Sequence, residues 1–279
     1  MRQKWIVLFL FFIATTVHSQ ESLPSHVIVI SLDGARPDAM QDAYMPHLDA
    51  LLINAAYSWT AETVFPPATI PAHASMLTGL PVEEHGITHN DYSEELIEHP
   101  TFLSLAAEMG FPTAMIVGKE KFVQFHTNEQ IYYEFAQLGD GSVVDAGIER
   151  LDEGDTVLFL HFPNPDFFGH STNWMSETYI NELYSTDYQM GRFLDALAER
   201  DILDSSLFII TSDHGGHDDE HGSNIPEDML IPMIIFGYGV DTMTLENIRL
   251  TQVASTVLSA LDIPIPETMD EPIIYTVDD

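Results

Sequence analysis

Cysteine is absent from all 279 residues. That removes disulfides, thiolate nucleophiles and Cys-built zinc sites together, so any metal centre must be made of histidine and carboxylate. Basic residues are scarce as well: nine Lys and Arg stand against 44 Asp and Glu, for a formal charge of −35. A surface of that sign repels nucleic-acid backbones and anionic lipid, which argues against duplex binding. The acids are spread along the chain, as on a solvated folded surface suited to a saline medium, and are not gathered into a tail. No N-x-Ser/Thr sequon occurs. The longest apolar run, Trp5 to Val17, follows Arg2 and Lys4 and falls short of the roughly 20 residues that a membrane span needs. It reads as a secretory signal cleaved after Ser19, which predicts a secreted or periplasmic protein with no stable membrane anchor and a single domain over residues 20–279.

What the chain does have is alternation. His26 to Leu32 (H-V-I-V-I-S-L) is a short, β-branched apolar run ending at Asp33-Gly34, the pattern of a strand buried on both faces. Further strands are expected at Tyr57–Val64, Thr113–Val117, Thr156–Phe162, Leu207–Thr211 and Ile231–Phe236. Helices are expected at Met45–Ala56, from Pro71 to Gly79, and at Thr101–Met109, Val143–Leu151, Ser176–Arg200 and Leu250–Leu261. Strands and helices in turn predict an α/β fold, a mostly parallel central sheet with helices on both faces.

In such sheets ligands bind beyond the C-terminal ends of the strands, and there the unusual residues fall. Asp33 ends the first strand; Asp166 and His170 (H-F-P-N-P-D-F-F-G-H) follow the strand at 156–162; Asp213 and His214 (T-S-D-H-G-G), then His221 in H-G-S, follow that at 207–211. Asp33-Gly34 alone is also an ordinary turn. Three Asp and three His together supply enough oxygen and nitrogen ligands for two divalent cations. Thr69 stands just before Pro71 in F-P-P-A-T-I-P-A-H-A-S-M-L-T-G, at the start of a helix. Its hydroxyl is either an N-cap or a nucleophile whose anionic product rests on the helix N-terminus.

In this order, Asp33, the Thr69 stretch, the D-x-x-x-H pair, S-D-H-G and the later His-Gly resemble the alkaline phosphatase superfamily, above all its type I phosphodiesterase/nucleotide pyrophosphatase branch. The motif F-P-x-x-T-x-P-x-H-x-S-x-x-T-G is matched over its full length and continues as G-L-P-V-E-E-H-G-I-T-H-N. The resemblance implies a three-layer α/β/α sandwich with a minimal cap and two divalent metal ions, Zn²⁺ by analogy. One would be held by Asp166, His170 and His221, the other by Asp33, Asp213, His214 and the Thr69 oxygen. It implies that Thr69 attacks phosphorus to form a phosphothreonine and that the Asn90 amide hydrogen-bonds a phosphoryl oxygen, although Asn90 in H-N-D-Y also reads as a turn residue. His217 rivals His221 as the last ligand. His73, inside the motif, reads as a packing or supporting residue.

The implied substrate is a small phosphate ester, a phosphodiester or phosphoanhydride. Lys119 and Lys121, directly after a strand, favour the alternative of a phosphomonoester or phosphonate, since paired ammonium groups suit a dianion; they also read as surface lysines paired with acids. Only residues 91–150 could supply a lid, so an open site is expected. Sulfatases require a Cys or Ser where this chain has Thr69, and cofactor-independent phosphoglycerate mutases use Ser. A non-catalytic metal-binding protein on the same scaffold is the remaining reading.

Overall fold

The computed structural model describes residues 23–273. The expected signal segment lies outside them, and among the described residues no helix is long and apolar enough to cross a membrane. Eight strands form one sheet: β1 (His26–Leu32), β2 (Ala55–Glu62), β3 (Thr113–Val117), β4 (Ile131–Phe135), β5 (Val157–Phe162), β6 (Ser206–Thr211), β7 (Leu230–Gly237) and β8 (Met243–Thr244). Their spatial order is β4-β3-β5-β1-β6-β7-β2-β8. All neighbours pair in parallel except β6 with β7 and β7 with β2, so β7 alone runs against the rest.

The helices are α1 (Pro37–Asp42), α2 (Pro46–Leu52), α3 (Thr69–Thr78), α4 (Val82–His85), α5 (Phe102–Glu108), α6 (Asp140–Glu153), α7 (Asn164–Thr172), α8 (Glu177–Glu199), α9 (Pro226–Met229) and α10 (Gln252–Ala260). Successive side chains of a strand point to opposite faces, and two cores result. Val27 and Val29 of β1 pack with α3, α5 and α10; Ile28, Ile30 and Leu32 pack with α1, α2, α6 and α8. Coverage of both faces is why the central strands read as continuous apolar runs.

The layers are those of the expected α/β/α sandwich, with local corrections. The helix expected over Met45–Ala56 stops at Leu52, and the next strand begins at Ala55, two residues before the expected Tyr57. Val143–Leu151 marks only the apolar part of α6, which starts at Asp140. Most of the stretch expected as a lid belongs to the sandwich: α5, β3, β4 and α6 take up much of 102–153, which leaves 86–100 as the segment without regular structure beside the site.

Candidate active site

The parallel strands deliver their C-terminal ends to one edge of the sheet, and Asp33, Lys119, Asp166 and Asp213 come from four of them. Asp33 directly follows β1, and Lys119 lies two residues past β3. Asp166 and His170 sit on α7, one turn apart, after β5. Asp213 and His214 follow β6, and the loop beyond them brings back His221. Asp33, Asp213 and His214 offer ligand atoms within 4.8 Å of one another, and so do Asp166, His214 and His221. His170 borders this group, with Nε2 3.4 Å from Asp166 Oδ1.

The three histidines are oriented alike. Nδ1–H donates to a backbone carbonyl in each case: Asp219 from His170 (2.7 Å), Gly215 from His214 (2.7 Å) and Pro67 from His221 (2.9 Å). In the neutral ring each Nε2 is thereby a lone pair, and all three face carboxylate oxygens. His214 Nε2 lies 3.4 Å from Asp33 Oδ1, 3.4 Å from Asp213 Oδ2 and 3.9 Å from Asp166 Oδ1, while His221 Nε2 is 3.8 Å from Asp166 Oδ1. Acceptors thus converge on acceptors. Asp33 Oδ1, Asp166 Oδ1, Asp213 Oδ2 and His214 Nε2 are buried with no hydrogen-bond partner. Stranding four such groups is costly unless a cation is their common partner, so the donor set fits divalent metals taken by nitrogen and oxygen ligands.

His217 lies elsewhere, with Nδ1 2.8 Å from Asp228 Oδ1. Thr69 is the first residue of α3; Ala68 holds the N-cap position and no side chain caps there. The Thr69 hydroxyl is therefore not spent on capping and lies 3.3 Å from Lys119 Nζ. The free amide of Ile70 donates instead to Asn90 Oδ1 at 3.0 Å, and Lys121 Nζ reaches the same oxygen at 2.8 Å. With Oδ1 engaged twice, the Asn90 amide nitrogen is left to donate. His73 supports Thr69 from behind: Nδ1 lies 2.7 Å from the Thr69 carbonyl and Nε2 2.8 Å from Ser31 Oγ.

Lys119 is more central than its sequence position suggests. Its Nζ lies 2.6 Å from Asp33 Oδ2 and 2.6 Å from Asp166 Oδ2. Burial pushes the Asp33 carboxyl up, but Lys119 and the His161 hydrogen bond hold it well below its usual range. In Asp166 burial and Asp33 act upward, and Lys119 with His170 reverses them. Asp213, outside hydrogen-bond reach of the ammonium, is pushed up to about 7 by burial and Asp33. Burial, then His214, lowers His221 to about 3, so it stays a neutral donor of its lone pair. Burial, then Lys119, lowers Lys121.

Two further contributors escape a reading of the sequence. His161 is the penultimate residue of β5; the Gly118 amide donates to its Nδ1 (3.2 Å), and its Nε2–H donates to Asp33 Oδ2 (2.7 Å). A signal existed: Val157, Phe159 and His161 share the face that packs on α3, and only the last is polar. Trp174 fills a notch between the Asp166 and His214 segments, where a Cβ on Gly169 or Gly216 would come within 2.4 or 2.3 Å of the indole. Its Nε1–H donates to the Gly34 carbonyl.

Comparison with known proteins gives two family matches and a shared fold. The type I phosphodiesterase / nucleotide pyrophosphatase family matches residues 27–109, and the sulfatase family matches residues 161–263. A 2,3-bisphosphoglycerate-independent phosphoglycerate mutase of Helicobacter hepaticus is 28% identical over 188 residues, covering 66% of this chain and 36% of that protein. Ectonucleotide pyrophosphatase/phosphodiesterase family member 7 of Mus musculus is 23% identical over 216 residues, covering 68% of this chain and 49% of that protein. The chain thus spans about a third to a half of the length of these curated relatives. Among solved structures, murine ectonucleotide pyrophosphatase/phosphodiesterase 5, in an inactive form with AMP, superposes with a TM-score of 0.76 at 16% identity over 88% of this chain and 97% of that one. A 2-O glycosaminoglycan sulfatase, BT1596, superposes with a TM-score of 0.73 at 14% identity, over 88% of this chain and 72% of that one. Sharing that fold and those family signatures, the chain belongs to the alkaline phosphatase superfamily, with residues 27–109 matching its type I phosphodiesterase / nucleotide pyrophosphatase family.

Proposed function

We propose that the protein is a two-metal phosphohydrolase that cleaves phosphate esters through a phosphothreonine on Thr69. The observation that carries this is the set of four buried, unpartnered acceptors on Asp33, Asp166, Asp213 and His214, beside a Thr69 hydroxyl free of any capping role. Asp33, Asp213 and His214 would hold one cation, and Asp166, His170 and His221 the other. When bound, divalent ions such as Zn²⁺ supply Lewis-acid charge that favours the alkoxide and stabilises the leaving oxygen. Thr69 Oγ attacks phosphorus as the bond to the leaving oxygen breaks, and hydrolysis of the phosphothreonine restores the hydroxyl. Asn90 offers its free amide to a phosphoryl oxygen, and the start of α3 adds its favourable dipole.

The family match over residues 27–109 supports diester or anhydride cleavage, which takes a substrate of low charge at phosphorus. A second reading, monoester hydrolysis, is favoured by two observations: Lys119 Nζ stands 3.3 Å from the Thr69 hydroxyl, and Lys121 Nζ contacts Asn90. Two ammonium groups at one phosphoryl site suit a dianion. The segment before residue 20, read as a secretory signal, would place the mature enzyme outside the cytoplasm.

Purified protein loaded with Zn²⁺ is expected to hydrolyse bis-p-nitrophenyl phosphate or p-nitrophenyl phosphate, and the ratio of the two rates decides between the readings. Thr69→Ala is expected to abolish turnover while keeping two Zn²⁺ per chain. Inertness of the wild type towards both esters would sink the proposal.

A further inference from the structure

Asp228 belongs to α9, away from the candidate ligands, and it is fully buried. Its Oδ1 accepts from His217 Nδ1 at 2.8 Å, its Oδ2 from the Ser223 amide at 2.7 Å, and its backbone oxygen from the Gly215 amide at 2.9 Å. The neighbouring Glu227 carbonyl accepts from the Gly216 amide at 2.9 Å. One short helix therefore fastens the loop 215–223 at both ends and in the middle.

That loop serves all three candidate histidines. Its first carbonyl, Gly215, orients His214; its Asp219 carbonyl orients His170 on α7; and His221 is one of its own residues. Asp218, Asp219 and Glu220 are exposed, so apolar burial does not hold the middle of the loop. What holds it is the reciprocal backbone pair between His217 and Glu220, 2.9 Å in each direction, and the Trp174 amide donating to the Asp218 carbonyl at 2.7 Å, together with the contacts to Asp228.

We propose that Asp228, acting through His217 and Ser223, is the positioning residue that sets the Nε2 atoms of His170, His214 and His221 for cation binding. His217 is on this account a strut and not a ligand. The inference rests on the two-metal reading above. Two donors arrive at one carboxylate, one on each oxygen, and an amide in its place offers one acceptor and turns an N–H towards the other donor. Groups bonded directly to a metal ligand are typically worth about 10- to 100-fold in its affinity, which is the upper bound for Asp228, one step further out.

The test compares wild type, Asp228→Asn and His217→Gln, the last at a partly exposed position where folding is not at stake. Hydrogen exchange on the cation-free proteins reads the loop, and Zn²⁺ competition against a chelator reads the site. Asp228→Asn is expected to speed exchange across 215–223 while leaving β6 unchanged, and to weaken Zn²⁺ binding by up to about 100-fold. His217→Gln is expected to move both readouts the same way by less. Unchanged exchange, or unchanged Zn²⁺ affinity in either variant, overturns the proposal. A wild type that binds Zn²⁺ but hydrolyses no ester, with binding weakened by Asp228→Asn, overturns the hydrolase and supports the positioning role.

Discussion

The helix that carries Thr69 and the loop that carries His221 approach the same cluster, yet all ten residues of α3 are buried while Asp218, Asp219 and Glu220 of the loop lie exposed. Packing fixes the first, and hydrogen bonds, two of them to one buried carboxylate, fix the second. The two parts should fail in different ways. A packed helix loses its place when a cavity opens beneath it, and a hydrogen-bonded loop loses its place when a single acceptor is removed.

Leu77→Ala is the strongest test of that division. Leu77 is fully buried under α3, and its truncation is expected to cost about 2–5 kcal/mol, read as a fall in thermal midpoint. Zn²⁺ affinity at 25 °C should stay near that of the wild type. If Leu77→Ala weakens Zn²⁺ binding as much as Asp228→Asn does, the contrast between helix and loop is broken.

Asp140 gives an intermediate case. It is a buried carboxylate at the start of α6 that accepts from the Asn164 amide at the start of α7 (3.0 Å) and from Thr186 Oγ1 (2.7 Å). Burial pushes its pKa up to about 7. The folded state therefore holds this proton at a pH where the unfolded chain, near 3.8, has released it. Its stabilising contribution is complete below the unfolded value and is lost as pH rises through about 7. Urea unfolding of cation-free protein across pH 4 to 8 should show that decline, and Asp140→Asn should flatten it. An unchanged slope in the variant would place the titration elsewhere.

The smallest expected effect is a control. Thr101 and Ser104 close a capping box at the start of α5, where they bond to one another and to no candidate ligand. Thr101→Ala should cost about 1 kcal/mol in chemical unfolding with no change in Zn²⁺ affinity. A change in affinity would mean that stability alone, and not the local latch, governs the site.

Much of this was legible in the sequence for a physical reason. Strands covered on both faces must be apolar throughout, so β1, β5 and β6 stand out, and their C-terminal ends place Asp33, Asp166 and Asp213 before any geometry is known. Edge strands lack that signature: β4 (I-Y-Y-E-F) and the two-residue β8 carry polar or exposed side chains and were not foreseen. The helix expected over Met45–Ala56 overruns the observed end at Leu52 because Ala55 suits helix and strand alike. Whether the Thr69 hydroxyl caps α3 is not written in the local sequence, since Asn90 arrives from 20 residues away to take the Ile70 amide. The centrality of Lys119 and the work of Asp228 are tertiary facts. An Asp in P-E-D-M-L reads as one more solvated acid among 44, and only the fold shows that it is buried.

The ammonium of Lys119, set between Asp33 and Asp166, bears on how the protein comes into being. Three carboxylates drawn together in a dry interior would repel one another as the chain closes, and a fold with no internal counter-charge would have to wait for ions before it could finish. Here two of the three already have a positive neighbour that the polypeptide itself supplies. On the two-metal reading, folding and ion loading would then be separable events, and the chain could close before it meets its ions.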